Sequence, residues 1–296
     1  MHPFDHAVQL DPIAPDTMRG HTHPEWANMV GPFGGITAAA LLKAIEIHPD
    51  RTGEPVALTV NFAAPIADGD FDITLRAART NRTNQHWLLD LSQQGDVKTT
   101  ATALFGVRRE TWADSETRPA SVPGPETIAD GTFITGASWS RLYDMRFVDG
   151  ALPADGQESP SSTTTLWVRD AQARPLDYPA LAAVCDVFFP RIFLRRGGPL
   201  PAGTISLTTY FHTDRELLDS LEGAREGSVR NDRGVERARI ELRSDHQVLR
   251  LCGLNQKRCR SHDEQPGQAS HRSPNRDDLR RMLEYIAMRF YGKGGA

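Results

Sequence analysis

The sequence predicts an α+β fold built twice: two antiparallel sheets, each wrapped around one long helix. Three observations carry this. A glycine-rich turn, Val30-Gly31-Pro32-Phe33-Gly34-Gly35, runs directly into a small-residue apolar helix. Four runs with the alternation and β-branched content of strands follow it between Pro55 and Val107. A second helix, loop and strand then recur between Leu176 and His212, in a chain of 296 residues, near twice the usual length of one domain.

Pro32 and the glycine pair forbid a strand or an earlier helix start. Beyond them Ile36, Ala39, Ala40, Lys43 and Ala44 recur at helical spacing, with alanine at the close-contact positions. The backbone N–H groups from Gly34 to Thr37 have no partner within the helix. With the helix dipole behind them they suit an anion, or a carbonyl oxygen that becomes negative during a reaction. A plain packing helix behind a glycine turn accounts for the same motif, which is weak on its own. Residues 55–62 alternate apolar and polar side chains and read as a strand half buried against the helix. Residues 71–79, 85–93 and 97–107 read as three more strands, with Asn81-Arg82-Thr83-Asn84 and Gln94-Gly95-Asp96 as hairpin turns.

Phe33-Gly34-Gly35 before the helix, Val60-Asn61-Phe62-Ala63-Ala64-Pro65 at the first long strand and Leu91-Ser92-Gln93-Gln94-Gly95 at the later hairpin carry a family resemblance. The sequence resembles the hotdog fold, and specifically the first half of the double-hotdog acyl-CoA thioesterases, the bacterial thioesterase II family.

In the second half, residues 176–186 read as a helix entered through Asp177, with Pro179 tolerated in its first turn and Leu181, Val184, Cys185 and Phe188 on one face. After a loop carrying Gly197-Gly198-Pro199 and Pro201, residues 204–212 read as a strand by their β-branched content. The family shows the same arrangement, with an aspartate late in the second helix and a strand that begins with threonine and ends in an aromatic-Phe-His triplet. Asp186, Thr204 and Tyr210-Phe211-His212 match it.

Between the halves, residues 111–162 are rich in Pro, Gly, Ser and Thr, and their apolar residues, such as Phe133, Trp139 and Phe147, occur singly. Such a stretch reads as an interdomain connector that packs across both halves, because its aromatics are costly to expose. Leu166-Trp167-Val168-Arg169 then opens the second domain as a short strand. Past Ser220 the chain departs from the family pattern: no aromatic residue occurs from Thr213 through Glu284. Some alternation persists at 237–243 and 247–254, with Ser244-Asp245-His246-Gln247 as a hairpin turn. After Cys259 the composition is that of a polar tail. It closes on an amphipathic helix at 277–291, where Leu279, Met282, Leu283, Ile286 and Phe290 align. The expected organisation is therefore an N-terminal hotdog at 1–110, a connector at 111–162, a C-terminal hotdog with degenerate last strands at 163–258 and a tail at 259–296.

Composition narrows function by exclusion. Hydrophobic residues make up 39% and charged residues 24%, as in an ordinary globular protein. No apolar run approaches the length that spans a bilayer, and Asp5, His6 and Asp11 stand where an export leader needs a basic and then an apolar segment, so a cytoplasmic location without membrane contact is expected. Three scattered cysteines argue against a disulfide framework, and ten histidines form no metal-ligand spacing, so neither a metal nor another cofactor is expected. A net charge of −4 with basic residues unbanded gives no reason to expect nucleic acid.

Thioester hydrolysis needs a water held against the carbonyl carbon, a group that takes its proton and donors for the oxyanion. Asp186 is the one carboxylate on the apolar face of the second helix, where burial would raise its pKa toward neutrality. A capping or solvent-facing aspartate is the plainer reading of the same residue, and a threonine at a strand start is common in any sheet. The resemblance implies more: an aspartate, a threonine and a glutamine around one water, matched here by Asp186, Thr204 and Gln256, with oxyanion donors at Gly34 and Gly35. It implies an acyl-CoA substrate, a role in fatty acid metabolism and a homo-oligomer formed by sheet-to-sheet pairing. A catalytically incomplete hotdog protein that binds acyl thioesters, or only assembles, is the alternative. A hotdog dehydratase would need an aspartate and a histidine at a helix start, and neither helix carries that pair.

Overall fold

Phe33 is the last extended residue before the main helix (φ −53°, ψ 129°), which begins at the glycine pair. The computed structural model describes residues 1–109, 122–129, 131, 134, 136–216, 218–219, 239–243, 248–252 and 286–291. Helix α1 (Pro3–Ala7) and a hairpin of β1 (Asp11–Ala14) and β2 (Thr17–His21) come first; all three are too brief for periodicity to reveal. Then α2 (Gly34–Glu46) follows, apolar on every side and buried on every side: Ala38, Ala39, Leu41, Leu42, Ala44 and Ile45 are wholly enclosed.

The four expected strands are present as β3 (Glu54–Phe62), β4 (Asp70–Thr80), β5 (Asn84–Gln93) and β6 (Asp96–Gly106). In β5 the strict alternation of the sequence becomes a buried face of Gln85, Trp87, Leu89, Leu91 and Gln93. Gln94 and Gly95 close its turn to β6 with positive φ values of 52° and 84°, the twist a two-residue hairpin requires. Antiparallel pairing joins β2 to β4, β4 to β5, β5 to β6 and β6 to β3.

The second half contributes β7 (Tyr143–Asp149), β8 (Thr164–Asp170), α3 (Tyr178–Val184), α4 (Ile192–Arg195), β9 (Ser206–Tyr210), β10 (Arg239–Arg243), β11 (Val248–Cys252) and β12 (Ile286–Tyr291). As expected, Asp177 caps α3, its carboxylate accepting the Ala180 N–H at 2.8 Å; such a cap contributes about 1 kcal/mol. The described strands form one twelve-stranded sheet in the order β1-β2-β4-β5-β6-β3-β9-β11-β10-β12-β8-β7. The halves meet where β3 pairs antiparallel with β9, from Ala57 opposite Tyr210 to Asn61 opposite Ser206. Tyr178 fastens α3 to the first half by donating to Glu54 Oε2 at 2.8 Å.

Four expectations need correction. The second helix is seven residues, not long: past Val184 the Asp186 and Val187 N–H groups bond to the Ala183 and Val184 carbonyls three residues back, a tight turn that ends the α-helical ladder. The sheets are not separate or wholly antiparallel: β9–β11 and β10–β12 run parallel within the single sheet. Residues 111–162 are not only a connector, since they contain β7. Its period-two alternation, Tyr143, Met145 and Phe147 against Asp144 and Arg146, is present in sequence but short and set in a stretch whose Pro, Gly, Ser and Thr content reads as connector; Asp144 and Arg146 pair at 3.3 Å while Tyr143 and Met145 are buried. Finally, Ile286–Tyr291 is a strand and not the end of a helix; it lies between β8 and β10, whose free edges offer a full backbone ladder. The expected turn at Ser244–Gln247, and Phe133, Gln256 and Cys259, lie outside the described residues.

Candidate active site

The turn that ends α3 carries Asp186 to the start of α2. There the backbone N–H groups of Gly34 and Gly35 precede the first hydrogen bonds of the helix, which run from Ile36 and Thr37 to Phe33 O at 3.2 and 3.3 Å. No side chain caps them from within the helix. Asp186 accepts the Gly35 N–H, and a methyl group placed on Gly34 would lie 2.6 Å from Asp186 Oδ2. On Gly35 the same methyl would collide with Ala183 O of α3 and the Phe33 ring. Glycine at 35 lets α3 approach this closely, and glycine at 34 leaves room for the Asp186 carboxylate. Two residue groups some 150 positions apart in sequence thus form one site.

Asp186 opens on one side into a cleft of about 810 Å³. One wall is aromatic, from Phe33, Trp139, Phe188, Phe189 and Phe193; Asn28, Met29, Thr204, Ser206 and Thr208 supply much of the rest. Ser206 and Thr208 are fixed to β3, the first donating to Asn61 Oδ1 at 3.0 Å and the second sharing a hydroxyl hydrogen bond with Thr59 at 3.0 Å. Such a lining would accept an apolar group and present a few polar atoms to it.

Burial pushes the Asp186 carboxyl up to about 7, a shift that the Gly35 N–H opposes because it favours the charged form. At that value the carboxylate is basic enough to take a proton from water near neutral pH. The neighbouring Cys185 is no competitor as a nucleophile. Its thiol is enclosed, points to Leu181 O at 2.6 Å, and is held well above the ordinary thiol range by burial.

The structure therefore brings together three of the five residues singled out in sequence, Gly34, Gly35 and Asp186, around one point. Thr204 lies on the wall of the same cleft, but in an exposed loop, since β9 begins two residues later than expected, at Ser206. Gln256 is outside the described residues. Asn28 and Arg191 line the cleft without having been singled out, and neither carries a sequence signal beyond proximity to a glycine or proline turn. Arg191 packs over the Phe189 ring at 4.2 Å and donates to Phe189 O and Thr164 Oγ1. Among the described residues no group of three or more His, Cys, Asp or Glu is placed to hold a metal, and no helix is long and apolar enough to cross a membrane.

Comparison with known proteins adds to this geometry. A model of the acyl-CoA thioesterase N-terminal domain matches residues 22–106, and one of the acyl-CoA thioesterase C-terminal domain matches residues 115–248; the gap between them follows the end of β6. A hot dog fold protein of unknown function from Alicyclobacillus acidocaldarius is 43% identical, with 75% of this chain and 82% of that chain covered and a TM-score of 0.71. A Thermobifida fusca YX protein described as a candidate thioesterase II is 17% identical, over 70% of this chain and 81% of that one, with a TM-score of 0.60. The tesB protein of Mycobacterium avium subs paratuberculosis is 18% identical, over 70% and 78%, with a TM-score of 0.57. Both are likenesses of fold. No curated protein matches the chain.

Proposed function

Because the chain belongs to the acyl-CoA thioesterase family, with its N-terminal and C-terminal domains matched in order, we propose that it hydrolyses acyl-CoA thioesters to the free acid and CoA with Asp186 as the base. The observation that carries this reading is the meeting of Asp186 with the start of α2 at the end of an apolar cleft. In the same reading the single sheet is two hotdog units sharing the β3–β9 seam, one built on α2 and the other on the short α3.

The thioester carbonyl lies at the start of α2, within reach of the Gly34 and Gly35 N–H groups. Asp186 takes a proton from a water whose oxygen bonds to the carbonyl carbon, and the negative charge that develops on the carbonyl oxygen is met by the helix-terminal donors. Collapse of the tetrahedral species breaks the C–S bond. The departing CoA thiolate recovers the proton from Asp186, which regenerates the carboxylate. Since Gly35 N–H is engaged by Asp186 in the free enzyme, the carbonyl oxygen competes for it and Gly34 N–H is the less encumbered donor. Thr204, from the cleft wall, and Gln256 hold the attacking water.

Two measurements test this reading. Thiol release from acyl-CoA without added metal should rise with pH and level off above a midpoint near 7, because the base works only when deprotonated and burial lifts its pKa to about 7. A rate that is flat from pH 5 to 9 would remove Asp186 from the proton transfer. Thr204→Val, which keeps shape and removes the hydroxyl, should lower kcat about tenfold, the scale of one hydrogen bond to the water. Unchanged kcat would leave Thr204 as wall only. Binding of acyl-CoA with no hydrolysis at any acyl length would favour the incomplete-enzyme alternative.

A further inference from the structure

Trp139 belongs to the stretch whose composition marks it as a connector, yet it is only 3% exposed and lines the cleft that holds Asp186. Its ring is clamped. It stacks on Phe33 with centroids 4.1 Å apart and planes 12° from parallel, meets Tyr143 edge-on at 6.2 Å, and its backbone N–H is tied to Ala27 O at 3.4 Å. Phe33 immediately precedes Gly34, so the indole is fixed beside the helix start where the thioester carbonyl would lodge.

Against that rigid setting, the indole Nε1 is buried with no hydrogen-bond acceptor among the described residues. The other described tryptophans show the contrast. Trp26 Nε1 donates to Pro3 O at 3.2 Å, Trp87 Nε1 to Gln85 Oε1 at 2.9 Å and Trp167 Nε1 to Pro123 O at 2.9 Å. A sealed indole N–H normally finds a partner, because leaving the donor bare forfeits its hydration. Thr99 Oγ1 and Arg108 Nε are also buried without acceptors, but neither lines the cleft.

We propose that the Trp139 Nε1–H is a substrate-binding donor that receives the carbonyl oxygen of the bound acyl thioester, so that the segment between the domains supplies part of the active site. This rests on the thioesterase reading above. The N–H is closed off from solvent in the free enzyme, so the contact requires side chains of the cleft wall to shift as the acyl group seats. The indole thereby gains an acceptor that the described residues do not supply.

The test compares two non-hydrolysable CoA ligands at the chain length that wild type turns over fastest. One is a ketone analogue with a methylene between sulfur and carbonyl; the other is the matching S-alkyl thioether without the carbonyl. Wild type should bind the ketone about tenfold more tightly by calorimetry, the scale of one hydrogen bond to a buried donor. Trp139→Phe keeps an aromatic ring against Phe33 and removes the N–H together with the fused five-membered ring, so the ketone-over-thioether preference is the readout that isolates the N–H. It should lose that preference and raise KM for acyl-CoA by a similar factor; the lost ring volume should also lower its unfolding temperature somewhat, a change that does not by itself alter the preference. A structural role alone would lower the unfolding temperature and leave the preference intact. In wild type, the Trp139 indole ¹⁵N–¹H resonance, assigned by its absence from the variant, should move with the ketone and not with the thioether. An unmoved resonance, an unchanged preference in Trp139→Phe or an equal loss for both ligands overturns the proposal while leaving hydrolysis by wild type untouched. If wild type neither binds nor hydrolyses any acyl-CoA, the thioesterase reading falls as well.

Discussion

Replacing Asp186 by asparagine should lower thiol release from acyl-CoA by about a hundred- to ten-thousandfold, the range lost with a positioned general base. The amide is nearly isosteric and can still lie against the helix start, but it cannot take a proton. The same substitution should make the folded protein more stable at neutral pH. The folded carboxyl keeps its proton up to about pH 7, whereas an unshifted aspartate releases it near 3.8. Between those values the folded state holds more protons than the unfolded one, so stability declines as pH rises through the window and the full cost is present above it. A neutral asparagine removes that cost, and Asp186→Asn should gain about 1–3 kcal/mol at pH 8, with little gain at pH 4. Urea unfolding at the two pH values reads the difference. Wild-type activity in the variant would dismiss Asp186 as the base, and a loss of stability at pH 8 would contradict the burial that tunes it.

Gly34→Ala should cost activity on a comparable scale, about a hundredfold or more, while the fold survives. The new methyl would stand 2.6 Å from Asp186 Oδ2 and 3.1 Å from the Phe62 ring. A carboxylate can swing aside, so the chain accommodates the methyl, but the proposed base then leaves its place beside the Gly34 and Gly35 N–H groups. Gly35→Ala meets something that cannot swing. Its methyl runs into Ala183 O, part of the backbone of α3, and into Phe33. Alanine in a helix is ordinarily worth about 1 kcal/mol over glycine; here overpacking should reverse the sign and destabilise by about 2–4 kcal/mol. Equal activity in Gly34→Ala, or a higher melting temperature in Gly35→Ala, would show that α2 and α3 do not meet this way.

Each of these expectations depends on a juxtaposition that no local pattern contains. What the sequence determined by itself is the set of elements whose causes are local. The Pro32, Gly34 and Gly35 turn could only start a helix late, and α2 begins at Gly34. Period-two alternation placed β3 through β6 to within a residue or so, and Asp177 capped α3 as its side-chain chemistry allows. Where a short periodicity competes with surrounding composition or long-range pairing, sequence misled: the brief alternation of β7 sits in a stretch of connector composition, and Ile286–Tyr291 took a strand between two open edges. Only the tertiary structure decided that β3 and β9 join the halves into one sheet, that the second helix is short, and that Trp139 lines the cleft. Asp186 and the Gly34-Gly35 pair were each legible as candidates, but not as neighbours. Their meeting follows from the absence of a side chain at Gly35, which lets one helix approach another to backbone contact, and at Gly34, which leaves room for the carboxylate; close packing of that kind is a property of the folded core rather than of any stretch of chain.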